Sequence, residues 1–289
     1  TSFVNSSNFN GFGVSCNGDT DGWISLTVSD GVFPYTYSWT GPNGYTSTNP
    51  NNILNLGAGT YNVTVTDNNG CTTSQTVTLT ESDLVTSTYT TSGWNGYQIQ
   101  CFGGDNGLID LDVNGGATLF DYTYYLDGNP NTPIITDNIF DTLSALTYTV
   151  SAEDINGCTT SQTVVMTEPS TEVTSLVDSS NFNTFGVHCN GDDDGWIDLT
   201  VSGGVNTSPY LFSWTGPNGF TSSLQNITSL FAGTYNVTAT DNNGCTTSET
   251  VTLTEPDLLT SFVNSSNFNG FGVSCNGDTD GWISLTVSD

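Results

Sequence analysis

The chain has 289 residues, and its 29 Asp and Glu face no Lys or Arg and one His, giving a formal net charge of −29. Such a charge repels nucleic acid and anionic lipid, so neither is expected as a partner. No apolar run approaches the roughly 18 residues that a membrane-spanning helix needs, so we expect no membrane insertion. Since side-chain salt bridges to Lys or Arg are impossible, each carboxylate must be solvated, hydrogen-bonded or bound to a cation.

The sequence is internally repetitive. Residues 1–30 recur letter for letter as 260–289, and residues 59–81 return almost unchanged as 233–255, with a looser copy at 146–168. The glutamates that close these three copies recur at intervals of 87 residues. We therefore interpret the chain as part of a longer tandem array, an organisation that builds length and surface more often than a single active site.

Each repeat is long enough to fold by itself, although a domain of this size is marginal without a crosslink or a metal. The expected domains are repeat 1 at 1–81, repeat 2 at 82–168, repeat 3 at 169–255, and the start of a further copy of repeat 1 at 256–289. Below they are called modules 1, 2, 3 and 4.

Early in module 1, apolar and polar residues alternate from Trp23 to Val28. This period predicts a half-buried strand with Ile24, Leu26 and Val28 facing inward. The equivalent inward triplets of the later modules are Ile109, Leu111 and Val113, and Ile197, Leu199 and Val201. The next inward set in module 1 is aromatic and comprises Tyr35, Tyr37 and Trp39.

Further along module 1, Tyr61, Val63 and Val65 alternate with polar residues before the turn sequence of residues 67–70, Asp-Asn-Asn-Gly. These turn residues tolerate positive φ, so the pattern predicts a hairpin whose second strand faces Val77 and Leu79 inward. About seven short strands per module indicate an all-β fold of tandem immunoglobulin-like β-sandwiches.

The junctions between modules are short and contain Ser82, Pro169 and Pro256 directly after the closing glutamates. Because proline fixes the backbone, the last strand of one module should pass almost directly into the first strand of the next. A stiff, extended rod is the expected shape, and freely flexible beads are the alternative.

Seven cysteines fall into two positional classes. Those before the first long strand are Cys16, Cys101, Cys189 and Cys275, and those at the hairpin are Cys71, Cys158 and Cys245. In a secreted protein such regularity predicts disulfides. Pairing within a module, across 55 to 57 residues, is the favoured reading and would contribute about 4 kcal/mol. The alternative pairs the first-class cysteine with the hairpin of a neighbouring module, because the two positions lie at opposite ends of an immunoglobulin sandwich.

The segment after the first-class cysteine resembles half of a calcium loop. Oxygen-bearing residues stand at positions 1, 3 and 5 before a glycine, as calcium loops require. The candidate ligands are Asn17, Asp19, Asp21, Asn190, Asp192, Asp194 and, at position 9, Asp198. The glutamate expected at position 12 is replaced by Val28 and Val201. A plain Asp/Gly turn explains the same letters, so no cofactor is required and calcium is the cation to test.

Three segments together resemble the SprB-type repeat: Cys-Asn-Gly-x-x-Asp-Gly-x-Ile-x-Leu-x-Val at 16–28, Pro-Tyr-x-Tyr-x-Trp at 34–39, and Gly-Thr-Tyr-x-Val-x-Val-x-Asp-x-x-Gly-Cys at 59–71. Single pieces are also similar to polycystic-kidney-disease-type domains. Module 2 departs from the pattern, with Leu126 in place of the tryptophan and Asp121 in place of the proline. The resemblance implies a giant cell-surface adhesin of Bacteroidota, exported by type IX secretion and used in gliding species for traction.

Enzymatic activity is not expected. His188 occurs in one module only, so no Ser-His or Cys-His device can recur, and small sandwiches offer no deep cleft for paired carboxylates. A repeated glycan-binding module acting by avidity is the rival function. It would use the outward Trp23, Trp196 and Trp282, although Leu108 stands at that position in module 2.

Sugars can also be attached to the chain. Asn-x-Ser/Thr sequons begin at Asn5, Asn62, Asn206, Asn226, Asn236 and Asn264, and Thr142 lies in an Asp-Thr-Leu sequence that resembles an O-glycosylation site of Bacteroidota. Such short motifs also arise by chance in a chain rich in Asn and Thr.

The sequence therefore predicts a non-catalytic, extracellular array at the cell surface, the shaft of an adhesin or filament. Its expected partners are neighbouring repeats of the same chain, other copies in a fibre, and a surface or glycan ligand at a tip outside this sequence.

Overall fold

The computed structural model describes residues 1–117, 122–127 and 138–288. Regular structure in these ranges consists of β-strands and of two short 3-10 turns at Pro42–Gly44 and Pro217–Gly219. This confirms the predicted all-β, immunoglobulin-like class. Asp121, one of the departures of module 2 from the repeat pattern, lies outside the described residues.

Module 1 contains the strands β1 Ser2–Ser6, β2 Gly22–Val28, β3 Thr36–Thr40, β4 Thr46–Ser47, β5 Asn52–Leu56, β6 Gly59–Thr66 and β7 Thr72–Leu79. They form a sandwich of two antiparallel sheets, with strand orders β1-β2-β5 and β4-β3-β6-β7.

The later modules repeat this plan. Module 2 contributes β8 Asp83–Thr91, β9 Gly107–Gly116, β10 Thr123–Leu126, β11 Ile139–Leu143, β12 Thr147–Glu153 and β13 Thr159–Val165. Module 3 contributes β14 Thr174–Ser179, β15 Gly195–Ser202, β16 Leu211–Thr215, β17 Thr221–Ser222, β18 Ile227–Leu230, β19 Gly233–Thr240 and β20 Thr246–Leu253. Module 4 contributes the pair β21 Thr260–Ser265 and β22 Ile283–Ser288. The sheet orders are β11-β9-β8 and β10-β12-β13, then β14-β15-β18 and β17-β16-β19-β20.

The core lies between the two sheets of each module, as the alternation predicts. Ile24 and Leu26 are buried, whereas Val28, Tyr35 and Tyr37 at the margin are half-buried. Trp39 is 1% exposed, and its indole N–H donates to the backbone oxygen of Asn49 at 3.0 Å. Burying a large apolar side chain while satisfying its one polar atom stabilises a sandwich by about 2–3 kcal/mol.

A tyrosine fixes one corner of every complete module. The hydroxyl of Tyr61 donates to the Gly57 oxygen at 3.0 Å, and Tyr148 and Tyr235 make the same contact four residues upstream, at 3.2 and 3.0 Å. Such a corner at the start of a late strand is a hallmark of immunoglobulin-like sandwiches. Desolvation by burial raises the pKa of Tyr61 and of Tyr235 above the ordinary tyrosine range.

The chain divides into two compact units, one of residues 1–93 and 104–167 and the other of residues 94–103 and 168–289. Residues 94–103 thus belong to the second unit although their sequence falls in module 2. The predicted module boundaries remain predictions. Within the first unit, β7 ends at Leu79 and β8 begins at Asp83, so the strands follow each other as directly as the short junction predicts.

Candidate functional site: a lock between successive modules

A ten-residue loop before each first long strand has the same local form throughout. We name these loops hook 1 (residues 9–18), hook 2 (94–103), hook 3 (182–191) and hook 4 (268–277). Each opens with a tight turn closed by a pair of backbone hydrogen bonds, for example between Phe9 and Phe12 at 2.7 and 3.0 Å. Each carries its cysteine two residues before a final glycine.

Hook 1 is anchored to the end of its own module. The N–H of Gly13 donates to the Thr80 oxygen at 2.8 Å, and a Cβ at Gly13 would lie 2.6 Å from the Cα of Leu79, so only glycine fits. The N–H of Gly18 donates to the carboxylate of Glu81 at 2.7 Å. The glutamate that closes each repeat therefore has a structural role, because it fixes the hook beside the junction.

The opposite partner of the lock is the turn of the final hairpin. We name these turns hairpin 1 (residues 67–71), hairpin 2 (154–158) and hairpin 3 (241–245). The leading aspartate organises each turn: in hairpin 2, Asp154 accepts from the N–H groups of Asn156 and Cys158 at 2.9 Å each and from Ala117 at 2.7 Å. Three backbone donors on one buried carboxylate make a rigid, fully satisfied turn.

In the first lock, hook 1 meets hairpin 2. A disulfide joins Cys16 to Cys158 with a Cα–Cα distance of 5.6 Å. Beside it, the Asn156 amide donates to the backbone oxygens of Phe9 and Ser15 at 3.2 and 3.1 Å and accepts from the Asn10 amide at 2.6 Å. One asparagine thus clamps both ends of the hook around the covalent bond.

The second lock joins hook 2 to hairpin 3 inside the second unit. Cys101 is bonded to Cys245, with a Cα–Cα distance of 5.7 Å. The Asn243 amide donates to the Gln100 oxygen at 2.9 Å and accepts from Asn95 at 2.7 Å, and the Gln100 amide donates to the Asn243 oxygen at 2.7 Å. The same device therefore recurs with different side chains around it.

The favoured prediction of pairing within a module is wrong, and the alternative of pairing between modules is found. Hook 1 is fixed at the end of β7, whereas Cys71 lies just before its beginning. Eight strand residues separate them by about 25 Å, while a disulfide needs Cα atoms within about 7 Å. The other described cysteines, Cys71, Cys189 and Cys275, are free and exposed.

Two segments of the chain match a known protein family. The model described as SprB repeat matches residues 14–44 and 183–219. These two stretches are similar to the SprB repeat. Both contain a hook cysteine, Cys16 or Cys189, and the strand that follows it, so the SprB-type signature overlaps the hook side of the lock. No curated protein matches the chain at the level of sequence.

Several solved structures match the chain at low identity. A Ca²⁺-stabilised adhesin that helps an Antarctic bacterium reach out and bind ice matches 88% of this chain and 73% of its own, with 16% identity and a TM-score of 0.43. A 1.5-MDa bacterial ice-binding adhesin matches 89% and 98%, with 14% identity and a TM-score of 0.41. The eight N-terminal immunoglobulin domains of the Down syndrome cell adhesion molecule match 79% and 35%, with 12% identity and a TM-score of 0.31.

The residues predicted as calcium ligands in hook 1 and just after it are engaged by protein groups. Asn17 donates to the Ser82 oxygen at 2.8 Å, Asp19 accepts from the Ser15 hydroxyl at 2.8 Å, and Asp21 accepts from the Ser15 N–H at 3.0 Å. Among the described residues, no group of three or more His, Cys, Asp or Glu side chains is placed to hold a metal ion. Calcium binding stays a prediction.

Among the equivalent residues of module 3, Asp194 contacts the single histidine. The His188 ring donates a hydrogen bond from Nδ1 to the Asp194 carboxylate at 2.7 Å and stacks on Phe182 with ring centroids 3.9 Å apart. The hydrogen bond from His188 lowers the pKa of Asp194 below its ordinary value. Asn190 donates to the Pro256 oxygen and Asp192 accepts from the Cys189 N–H, while Asp198 lies on β15 opposite Asp178.

The predicted glycosylation residues all have exposed side chains: Asn5, Asn62, Asn206, Asn226, Asn236, Asn264 and Thr142. Asn62, Asn226 and Asn236 accept hydrogen bonds from neighbouring protein groups at 2.7 to 3.0 Å. Trp23 and Trp196 are half-buried and Trp282 is 52% exposed. Attachment of glycans stays a prediction.

The described part of the chain contains no helix with the length and apolar character that spanning a membrane requires.

The role of the clamp asparagine was not predicted. The turn chemistry of residues 67–70 predicts only a hairpin, although the repeats contain a signal for a contact. The third turn position is asparagine in every hairpin, as Asn69, Asn156 and Asn243, whereas the second position changes to Ile155 in module 2. A residue that is kept where its neighbour varies indicates a side-chain contact rather than a backbone requirement.

Proposed function

We propose that the chain is a section of the non-catalytic shaft of a giant cell-surface adhesin or filament. The observation that carries the proposal is the repeated lock. Successive modules are linked twice, once by the peptide junction and once by a hook-to-hairpin disulfide. A double link resists separation and twisting at the junction, which a shaft requires and a freely moving string of binding domains does not.

The locks also change how tension would pass through the chain. The disulfides Cys16–Cys158 and Cys101–Cys245 enclose overlapping segments. The shortest covalent path between the two ends follows the backbone to Cys16, crosses the first disulfide to Cys158 and runs back to Cys101. It then crosses the second disulfide to Cys245 and continues to the end. This path contains fewer than half of the 289 residues. A pulled molecule would therefore keep most of its length in reserve until the disulfides are reduced.

Further features support an extracellular location. Disulfides persist in oxidising compartments, and a net charge of −29 keeps neighbouring shafts apart in solution. The SprB-type segments support a role at the surface of a bacterium that exports such repeats by type IX secretion and uses them in adhesion or gliding. Calcium and surface glycans would add stiffness and protection to the same shaft.

The rival function is a glycan-binding module repeated for avidity. It would rely on Trp23, Trp196 and Trp282, and half-burial leaves the first two rings only part of their surface for a sugar. We therefore place the shaft first. A glycan array probed with the intact chain, and with Trp23→Ala and Trp196→Ala variants, would favour the rival if binding were seen and lost in the variants.

Single-molecule pulling between terminal handles tests the shaft directly. The oxidised chain should extend to less than half of the length reached by the same chain in reducing agent. A Cys16→Ser, Cys101→Ser double variant is the matched control and should extend fully under both conditions. Equal extension of the oxidised and reduced wild-type chain would contradict the proposal.

A further inference from the structure

The disulfides of the two locks attach module 2 at opposite ends of one strand. Cys101 lies in hook 2, shortly before Gly107, the first residue of β9. Cys158 lies on hairpin 2, whose Asp154 accepts from the N–H of Ala117 at 2.7 Å, one residue after β9 ends. A strand of ten residues spans about 33 Å. A pull on the two cysteines therefore acts along the strands of the module.

The strands nearest to these attachment points are the central strands of their sheets. β9 follows hook 2 and lies between β8 and β11, whereas β12 precedes hairpin 2 and lies between β10 and β13. Each is therefore hydrogen-bonded to a neighbour on both sides. In antiparallel sheets these bonds run perpendicular to the strands, so a force along β9 or β12 stretches the bonds on both sides of the strand together.

The peptide junctions are continuous with a different pair of strands. The junction from module 1 enters module 2 at β8, and the junction to module 3 leaves it after β13. Within the described residues both strands lie at an edge of their sheet and have one hydrogen-bonded neighbour. Side chains tie the two edges: the Gln162 amide donates to the Ser87 oxygen at 2.8 Å, and the Ser87 and Thr160 hydroxyls are 2.9 Å apart. A pull through the junctions therefore stretches the backbone bonds on only one side of each strand.

We propose that the two locks transfer the pulling load of module 2 from its edge strands β8 and β13 to its central strands β9 and β12, so that the peptide junctions bear no essential load. This inference rests on the shaft function proposed above and says which part of a module resists tension. The covalent route from Cys158 to Cys101 contains 57 residues, 158 minus 101, fewer than the 87 of a whole repeat. Since the shorter route becomes taut first, the module can lengthen only when β9 and β12 are pulled apart.

A broken junction then leaves the shaft intact. A cut after Ser82 leaves module 1 joined to module 2 through the disulfide between Cys16 and Cys158. The second lock gives the same protection to the junction between modules 2 and 3. The central strands still receive the load through the disulfides, so a cut at a junction changes neither the length nor the strength of the pulled chain.

The first experiment pulls the intact chain between terminal handles and records the unfolding step of module 2. In the oxidised chain this step should release the 57 residues between Cys101 and Cys158. The matched control, Cys16→Ser with Cys101→Ser, should release the whole module and unfold about tenfold faster at the same force, because forced unfolding follows the unfolding rate. Unfolding of both chains at the same rate would overturn the proposal.

A chain with a specific protease site inserted after Ser82 tests the junction itself. The cut and the uncut oxidised chains should show the module 2 step at the same force, and reducing agent should separate the cut chain into two pieces. A lower unfolding force in the cut chain would show that the junction bears load, and the proposal would then be wrong.

A further variant distinguishes the edge strands from the central ones. Gln162→Ala removes the hydrogen bond that ties β13 to β8. It should accelerate forced unfolding about fivefold in the Cys16→Ser, Cys101→Ser chain and leave the oxidised wild-type chain unchanged. Equal acceleration in both backgrounds would mean that the edge strands resist tension in the locked chain too. Because the shaft function is judged by how far the oxidised chain extends, short extension together with a weakened cut chain would contradict this inference alone.

Discussion

Hairpin 1 and hairpin 2 share the same backbone conformation but differ in how far their side chains are exposed. Asn69 and Cys71 are exposed, whereas the equivalent Cys158 is buried and Asn156 is half-buried against hook 1. In both turns the leading aspartate accepts from the asparagine and cysteine N–H groups, and the lengths of these hydrogen bonds agree within 0.1 Å. The turn therefore forms without its partner, and the partner supplies only the burial and the crosslink.

The largest expected effect comes from removing the crosslink on the locked side. A Cys16→Ser, Cys158→Ser variant opens a loop of 142 residues, which in the chain-entropy model lowers the free energy of unfolding by about 5 kcal/mol. Guanidinium unfolding of the intact chain would measure it in the transition of the first unit, because that unit contains the whole lock.

The matched control is Cys71→Ser with Cys189→Ser, which replaces the same kinds of residue where the thiols are free. We expect this pair to change stability by less than about 0.5 kcal/mol in the monomer. Equal losses in the two double variants would mean that the cysteines act through local packing, and the comparison between locked and unlocked hairpins would fail.

The clamp asparagine should give the next largest effect. Asn156→Ala leaves the Phe9 and Ser15 oxygens and the Asn10 amide without their partner, at a cost of about 1–3 kcal/mol. Asn69→Ala at the equivalent exposed position should be nearly neutral. Thermal unfolding of the two variants side by side is the measurement, and a neutral Asn156→Ala would show that the disulfide alone holds the junction.

Hook 3 differs from hook 1 in containing a residue with a strained backbone. Thr184 has a φ of 82° at the position where hook 1 has Gly11 with a φ of 100°. A β-branched residue in this region costs about 1–2 kcal/mol. Thr184→Gly should therefore raise the melting temperature and the reverse change, Gly11→Thr, should lower it. A destabilised Thr184→Gly would show that the threonine side chain makes a stabilising contact that outweighs the strain.

The smallest effect is local and depends on pH. Backbone hydrogen bonds from Cys71 and Val32 lower the pKa of Asp67 below its ordinary value of 3.8. A depressed pKa stabilises hairpin 1 above the pKa of the unfolded chain, and this contribution disappears as the pH falls through the folded value. The amide signals of Asn69 and Cys71 in NMR should therefore titrate with a midpoint below 3.8, and Asp67→Asn should abolish that titration. A midpoint at or above 3.8 would contradict the organised turn.

Much of the fold could be predicted because it depends on local patterns. The alternation around Ile24 and Leu26, the buried Trp39 and the turn at residues 67–70 all follow from side-chain period and turn chemistry. The SprB-type resemblance, quoted over residues 16–28, is likewise borne out by the match at 14–44.

The disulfide partners could not be predicted because modules 1, 2 and 3 each have one cysteine of each class, so both connectivities fit the same letters. What decides between them is the anchoring of hook 1 by Thr80 and Glu81, a contact between residues 63 or more positions apart. The role of Asn156 was hidden for the same reason, since its partners lie in another module.

Disulfide mapping of the intact, non-reduced chain tests the lock between modules most directly. Cleavage before aspartate with endoproteinase Asp-N suits a chain without Lys or Arg and places each cysteine in a different fragment. The lock predicts that fragment 1–18 is joined to 154–177 and fragment 83–104 to 241–256. Fragment 1–18 joined to 67–82, or 83–104 joined to 154–177, would contradict it and return the cysteines to pairing within modules.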